Sequence, residues 1–498
     1  MPATGGSWAT AANWTPASVP NAVGAAVQLS ANNTANRPIT TDSGSVGFTV
    51  GSISFDLTGT GTFTNSLTTG TAGSKLILNN AGAGVTIATT GDGTGNNTIS
   101  VPLTLSDLLI AQVDQTSSTS AAGSLNLTAA ISGTGSILKQ GEGLMTFGTG
   151  AKTYTGATVL NGGRTRISQT AQPSATSSFA INAGAQLTLI AANPANFTFG
   201  SGPLNLNGTG ATSGPFAVFP GAIRNDTNYV ATINNPVVLQ SDTLLHVEGA
   251  ATGSLTFPNT VSGPGSLTLT APNSSINQGR LVLTGINSYQ GGTFVNGGTL
   301  VINADAALGA AGAGVKIESG IFNATLQAIG AVSTTARTLT LGIGGGTIDT
   351  NGNDVTFGVG STITGTALRK IGAGKLTIAG TQTYETLTTS EGRTDLASAL
   401  GTGTSTINAN SPAPTSSNVI NISVNQTLAA LNIRDGAVVT FGTPLPPGAV
   451  AGLEGSDNQS LASDSGAGLG QTVPEPGSAA LLLGGLGMLA GLRRRERV

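Results

Sequence analysis

The residues with the clearest chemical consequence sit at the end of the chain. Val473-Pro474-Glu475-Pro476-Gly477-Ser478 is followed by an apolar run from Ala479 to Leu492, then by Arg493-Arg494-Arg495-Glu496-Arg497-Val498. Pro474 and Pro476 fix φ and favour extended backbone, so Glu475 is presented on an accessible, strand-like peptide, the form a processing enzyme binds. The apolar run has 14 residues. As a helix it would measure roughly 21 Å at about 1.5 Å per residue, short of the roughly 20 residues that a comfortable span needs. Gly484, Gly485, Gly487 and Gly491 soften it further. Arg493, Arg494, Arg495 and Arg497 form a membrane stop that favours a cytoplasmic C-terminus. This order predicts peptide processing next to a transient membrane span over 479–492.

Elsewhere the chemistry is sparse. His occurs once, at His246, in the strand-like alternation Thr243-Leu-Leu-His-Val-Glu248, and a single His outside any triad pattern is no catalytic signature. The chain has no Cys, which excludes disulfides and thiolate metal sites. Calcium-loop and HExxH patterns are missing, so neither a metal nor a cofactor is expected. Gly342-Ile-Gly344-Gly-Gly346 lacks the following helix that a phosphate loop requires. The acids Asp56, Asp92, Asp107, Asp114, Glu142, Asp242 and Glu248 read as dispersed, with no pair at one-coil spacing. Polysaccharide-cleaving sites need clustered carboxylates. The formal charge is −3, and without the tail's four Arg and two Glu it is −5, so nothing resembles a nucleic-acid footprint.

The elements that would position any site are strands. Charged residues make up 8% of the 498 residues, too few for the charge-rich composition of disordered chains, and Gly occurs 74 times. Thr and Val favour strands, Gly and Asn favour tight turns, and long helical periodicity is missing outside the tail. The body repeats itself. Tyr154-Thr-Gly-Ala-Thr158-Val159-Leu-Asn161-Gly162-Gly163 aligns without a gap with Tyr289-Gln-Gly-Gly-Thr293-Phe294-Val295-Asn296-Gly297-Gly298. Leu368-Arg-Lys370-Ile-Gly372-Ala-Gly374 matches Ile137-Leu-Lys139-Gln-Gly141-Glu-Gly143, and continues to Tyr384 and Gly392. Strands this short are unstable alone and require identical neighbours to stack on.

These expectations converge on an all-β fold: a right-handed parallel β-helix, or solenoid, with a short C-terminal transmembrane sorting helix. The solenoid is expected over 1–450, a flexible linker over 451–472, and a sorting signal over 473–498. At about 25 residues per coil and about 4.8 Å per rung, roughly 18 coils would make a rod of roughly 85 Å. Trp8 and Trp14 are expected to cap the first rung, whose edge is otherwise open. Asn161 and Asn296 are expected in turns or an internal amide ladder. Tyr154, Tyr289 and Tyr384 are expected to pack beside a strand, with a sugar-stacking platform as the sharper alternative. Lys139 and Lys370 are expected as solvated rung-edge residues.

Two resemblances carry function. The tail, through Pro474, Glu475 and Pro476, the apolar run and the arginines, resembles the PEP-CTERM sorting signal of Gram-negative bacteria. The repeats at 131–168, 261–303 and 363–396 resemble the autotransporter-associated β-strand repeat of passenger-like exported proteins. The first resemblance implies an exosortase as partner, a precursor anchored in the inner membrane by its C-terminus, and a mature protein released or attached outside the cell. The residues before Trp8 offer no basic or apolar signal segment, so a secretory signal is expected upstream of Met1. The resulting expectation is an exported, non-catalytic structural or adhesive protein of the cell surface or extracellular polymer matrix. Extracellular polysaccharide is a candidate partner, and nucleic acid is not. The alternative is a β-helical polysaccharide lyase or hydrolase.

Overall fold

In the computed structural model the described residues are 5–29, 36–56, 64–90, 95–114, 123–190, 194–226, 229–249, 253–272, 279–320, 323–401, 404–411 and 417–442. Three backbone stretches, Leu453–Glu454, Gln459–Ala462 and Gln471–Thr472, are described as well. The sorting residues Pro474, Glu475, Pro476, Arg493, Arg494, Arg495 and Arg497, and the expected helix over 479–492, lie outside them. Among the described residues no helix is long and apolar enough to cross a membrane.

The chain is all-β, a parallel solenoid of about 15 turns. It divides into two units, one of residues 1–272 and 276–291, the other of 273–275 and 292–498. In each, strands of successive coils stack in parallel register on three faces. One stack of the first unit runs Leu109–Val113, Ile137–Gln140, Thr158–Leu160, Phe179–Ile181 and Leu204–Gly208. A second runs Leu144–Phe147, Gly163–Ser168, Ala185–Ile190 and Ile223–Asn225. Side chains alternate in and out along each strand, so register partners form continuous rows. Leu109, Ile137, Thr158, Phe179, Leu204 and Val237 make one inward row, all fully buried. Coil length is uneven, from 18 residues between Leu376 and Thr394 to 36 between Leu187 and Ile223.

At the start, Gly6–Ser7 pairs with Arg37–Thr41, and Trp8 is fully buried. Trp14 meets Trp8 edge-on at 4.9 Å, and Phe48 stacks on Trp8 at 5.9 Å. Both indoles are satisfied, Trp8 Nε1 donating to the Pro20 carbonyl and Trp14 Nε1 to that of Trp8. In the last coil the strand direction reverses. Gln459–Ala462 runs antiparallel to Ala430–Ile433, and Leu453–Glu454 to Val438–Phe441.

The repeat lysines correct the sequence reading. Lys139 and Lys370 are fully buried inside the coil, not solvated at a rung edge. Lys139 Nζ donates to the carbonyls of Gly141 at 2.5 Å, Gly143 at 2.7 Å and Gly162 at 2.7 Å. Lys370 Nζ repeats this on Gly372, Gly374 and Glu391 at 2.5, 2.8 and 2.5 Å. Three carbonyls converge where the chain turns at Gly141-Glu142-Gly143 and meets the Asn161-Gly162-Gly163 turn of the next coil. An ammonium has three donors, which fits the need. Burial pushes Lys139 down to about 7, with Asp114 and Glu142 opposing. Gly163 has φ +58°, and a Cβ there would lie 2.5 Å from the Glu142 carbonyl carbon.

Lys139→Met strands those three carbonyls in the interior and is expected to cost about 3 kcal/mol. Native-state hydrogen exchange over 137–167 reads the loss locally. Lys375, 39% exposed and 3.5 Å from Asp354, is the control, and Lys375→Met should change stability by under about 0.5 kcal/mol. Equal protection in both variants would show that the ammonium plug contributes nothing.

Candidate functional site

Charged side chains converge at one place in the first unit. On the outer face of the second stack, Arg166, Thr188, Arg224, His246 and Thr270 follow one another in register. Arg164 pairs in register with Gln186, and Asp226 and Glu248 follow Asn225 and Val247 on consecutive coils. These side chains point outward yet are mostly buried, because the long coil between Leu187 and Ile223 folds residues 209–222 over them. Phe216 is 2% exposed and packs with Leu144, Ala211 and Phe219 as an apolar patch outside the sheet. Gln186 Nε2 pins the covering loop through the Phe219 carbonyl at 2.7 Å and the Gly221 carbonyl at 3.1 Å.

Three guanidiniums meet two carboxylates here. Arg164 pairs with Asp226 at 2.7 Å, Arg224 pairs with Asp226 at 2.7 Å and also with Glu248, and Arg166 stands 3.8 Å from Asp226. The Arg164 guanidinium lies 5.8 Å from the Phe216 ring and 5.7 Å from that of Phe219, and Arg224 lies 5.2 Å from Phe219. Such cation–π contacts gain from exclusion of water. Burial lowers Arg164 to about 10. His246 bonds Thr270 Oγ1 through Nδ1 at 3.0 Å, with Nε2 3.7 Å from Glu248. Burial first, then Arg224, pushes His246 down to about 4, so it is neutral at pH 7.

This corrects the reading of dispersed acids. Asp226 and Glu248 are one coil apart, a spacing of 22 residues on this part of the stack. The i, i+2 pattern of Arg164-x-Arg166, Arg224-x-Asp226 and His246-x-Glu248 was the available signal. The two carboxylates serve as counter-charges to Arg224, which ties them to the wall. No group of three or more His, Asp or Glu among the described residues is placed to hold a metal.

Other expected residues behave as wall components. Tyr154, Tyr289 and Tyr384 are buried, at 0%, 0% and 1% exposure, which removes the sugar-stacking alternative for all three. Tyr154 Oη bonds Thr158 at 2.6 Å, and Tyr384 Oη donates to Gln382 at 2.7 Å. Asn161 sits in an amide ladder, accepting from Asn182 at 2.6 Å, and Asn182 accepts from Asn207 at 3.4 Å. That ladder is on the exposed corner, not inside the bore. Asn296 is an exposed turn residue.

His246 sets a pH dependence. It takes its proton near 6.5 when unfolded and near 4 when folded, so the unfolded chain binds the extra proton between these values. Stability is complete above pH 6.5 and is lost as pH falls to about 4, by up to about 3 kcal/mol. His246→Gln should flatten the fall in melting temperature over this window. An unchanged fall in the variant would assign the acid sensitivity elsewhere.

The family comparisons add to this geometry. The passenger-associated-transport-repeat model matches residues 137–167, 277–302 and 368–389. The PEP-CTERM protein-sorting motif model matches residues 472–495. The chain is 28% identical over 252 residues to the adhesin BmaC autotransporter of Brucella suis biovar 1 (strain 1330). That match covers 49% of this chain and 6% of the relative. No solved structure matches the chain. Each Lys-x-Gly-x-Gly plug falls in or at the edge of a matched repeat. The chain thus carries passenger-associated transport repeats on a parallel β-solenoid and ends in a PEP-CTERM protein-sorting motif.

Proposed function

We propose that this chain is an exported, non-catalytic structural or adhesive protein of the cell surface or extracellular polymer matrix. The observation that carries the reading is the pairing of a C-terminal sorting motif with a β-solenoid of passenger repeats. In this reading an exosortase-type enzyme recognises Pro474, Glu475 and Pro476 as extended peptide. Residues 479–492 hold the precursor in the inner membrane for a time, and Arg493, Arg494, Arg495 and Arg497 stop the chain there.

The build of the wall supports a structural role. Where charges converge in the first unit they are paired and covered by the 209–222 loop. The resemblance of half the chain to an autotransporter adhesin points the same way. A glycan-cleaving enzyme needs free carboxylates facing one cleft, and Asp226 and Glu248 are engaged by Arg224 instead.

Replacing Pro474, Glu475 and Pro476 together should leave folding intact and stop processing. Mass spectrometry of the C-terminus in fractionated cells reads this directly. Identical mature ends in wild type and variant would refute the sorting role of the three residues.

A further inference from the structure

One outer face of the second unit carries a registered hydroxyl array. Thr338, Thr362 and Thr381 lie over one another in one row, and Thr340, Thr364 and Thr383 in the next. Leu339, Ile363 and Gln382 alternate with them and are buried. Parallel stacking sets about 4.8 Å between rungs and about 6.6 Å between the two rows. Among the described residues none of the six hydroxyls has a hydrogen-bond partner. Some hydroxyls of the first unit are engaged instead. Thr68 donates to the Ile39 carbonyl, Ser100 and Thr128 bond each other at 2.8 Å, and Thr153 donates to the Ile131 carbonyl.

The array has a frame. The row of Thr340 continues through Lys316 to the half-buried Phe294. Beside it Gly342, whose N–H donates to the Ile317 carbonyl, leaves the middle flat. Glu318 lies against Gly342 and pairs with Lys316 at 2.5 Å, and Glu385 is exposed at the far end.

We propose that this face binds an uncharged polysaccharide strand lying along the rungs. A free hydroxyl both donates and accepts, so a fixed row of them matches a ligand with the same dual capacity, a run of sugar hydroxyls. Phe294 offers an apolar ring to the C–H face of a sugar, and Glu318 and Glu385 accept strong hydrogen bonds from sugar hydroxyls at either end. Two carboxylates against one ammonium disfavour an anionic polymer. Single hydroxyl contacts are weak, and the rigid sheet makes them add because no side chain or loop must be ordered on binding. A role in adhesion presupposes the export proposed above, whereas binding by purified protein does not.

The test uses the full chain and two probes, microcrystalline cellulose as the neutral polymer and alginate as the anionic one. Wild type should be retained on cellulose and not on alginate. Thr364→Lys with Thr383→Lys places two cations in the array without touching the bore, and should weaken retention about tenfold or more at unchanged melting temperature. Should that variant fail to fold, Thr340→Val with Thr364→Val removes the hydroxyls at nearly constant shape and carries the same expectation. Thr104→Lys, on an outer row of the first unit, should bind as wild type. Failure of wild type to bind cellulose, equal binding by the array variants, or retention on alginate alone overturns the proposal. So does self-association that the array variants abolish in a chain that ignores cellulose, which assigns the face to a second copy. A cytoplasmic location on cell fractionation overturns the surface reading and leaves a positive cellulose result standing.

Discussion

Parallel register between coils is the constraint on which everything else depends. Each strand residue hydrogen-bonds to the residue one coil away, so the backbone is satisfied only if every coil turns at the same places. The choice of residue then follows position. Inward positions become apolar rows such as Leu109, Ile137, Thr158, Phe179 and Leu204. Outward positions become rows too, so a side chain that is neutral and flat on one rung makes a neutral flat stripe when repeated.

Corners are the weak points of that scheme. Carbonyls aim inward where the chain turns, and no strand lies opposite to supply donors. The chain answers with long cationic or amide side chains from inside the bore. Lys139 and Lys370 each take three carbonyls. Lys152 does the same for Ala129, Gly148 and Gly150. Arg337, 2% exposed, binds Asp305 and the carbonyls of Leu308, Ala310 and Ala313. An isolated buried charge is costly, but one whose donors are all used replaces several unsatisfied carbonyls at once. This is why a chain with only 8% charged residues places some of them in its interior.

The same economy explains what was legible in the sequence. The all-β class, the stacked coils and the buried repeat tyrosines follow from short β-prone runs and Gly-Asn punctuation. Lys139 and Lys370 were misread because charge in a sequence signals solvent, and only the converging carbonyls reveal the opposite. The Asp226–Glu248 pair was missed for a different reason. Coil length varies from 18 to 36 residues, so no single spacing converts sequence distance into register. The covering loop 209–222 hides in that variation as well. It is an insertion into one coil, and its Phe216 and Phe219 have no counterpart in the repeats.

Uneven coils also bear on where function can reside. A strictly regular solenoid repeats one surface and offers nothing local. Insertions break the repetition, and in the first unit the largest break is spent on sealing a charged row beneath aromatic rings. In the second unit the coils from Thr338 to Thr383, of 24 and 19 residues, carry no such covering loop, and there the outer hydroxyls have no protein partner among the described residues. Strand register is therefore the resource: a weak contact repeated along a rigid row gains strength by repetition, whatever the length of the turns between the strands. Recognition by such a chain favours partners that are themselves extended and periodic, in contrast to the single small molecule that a pocket would select.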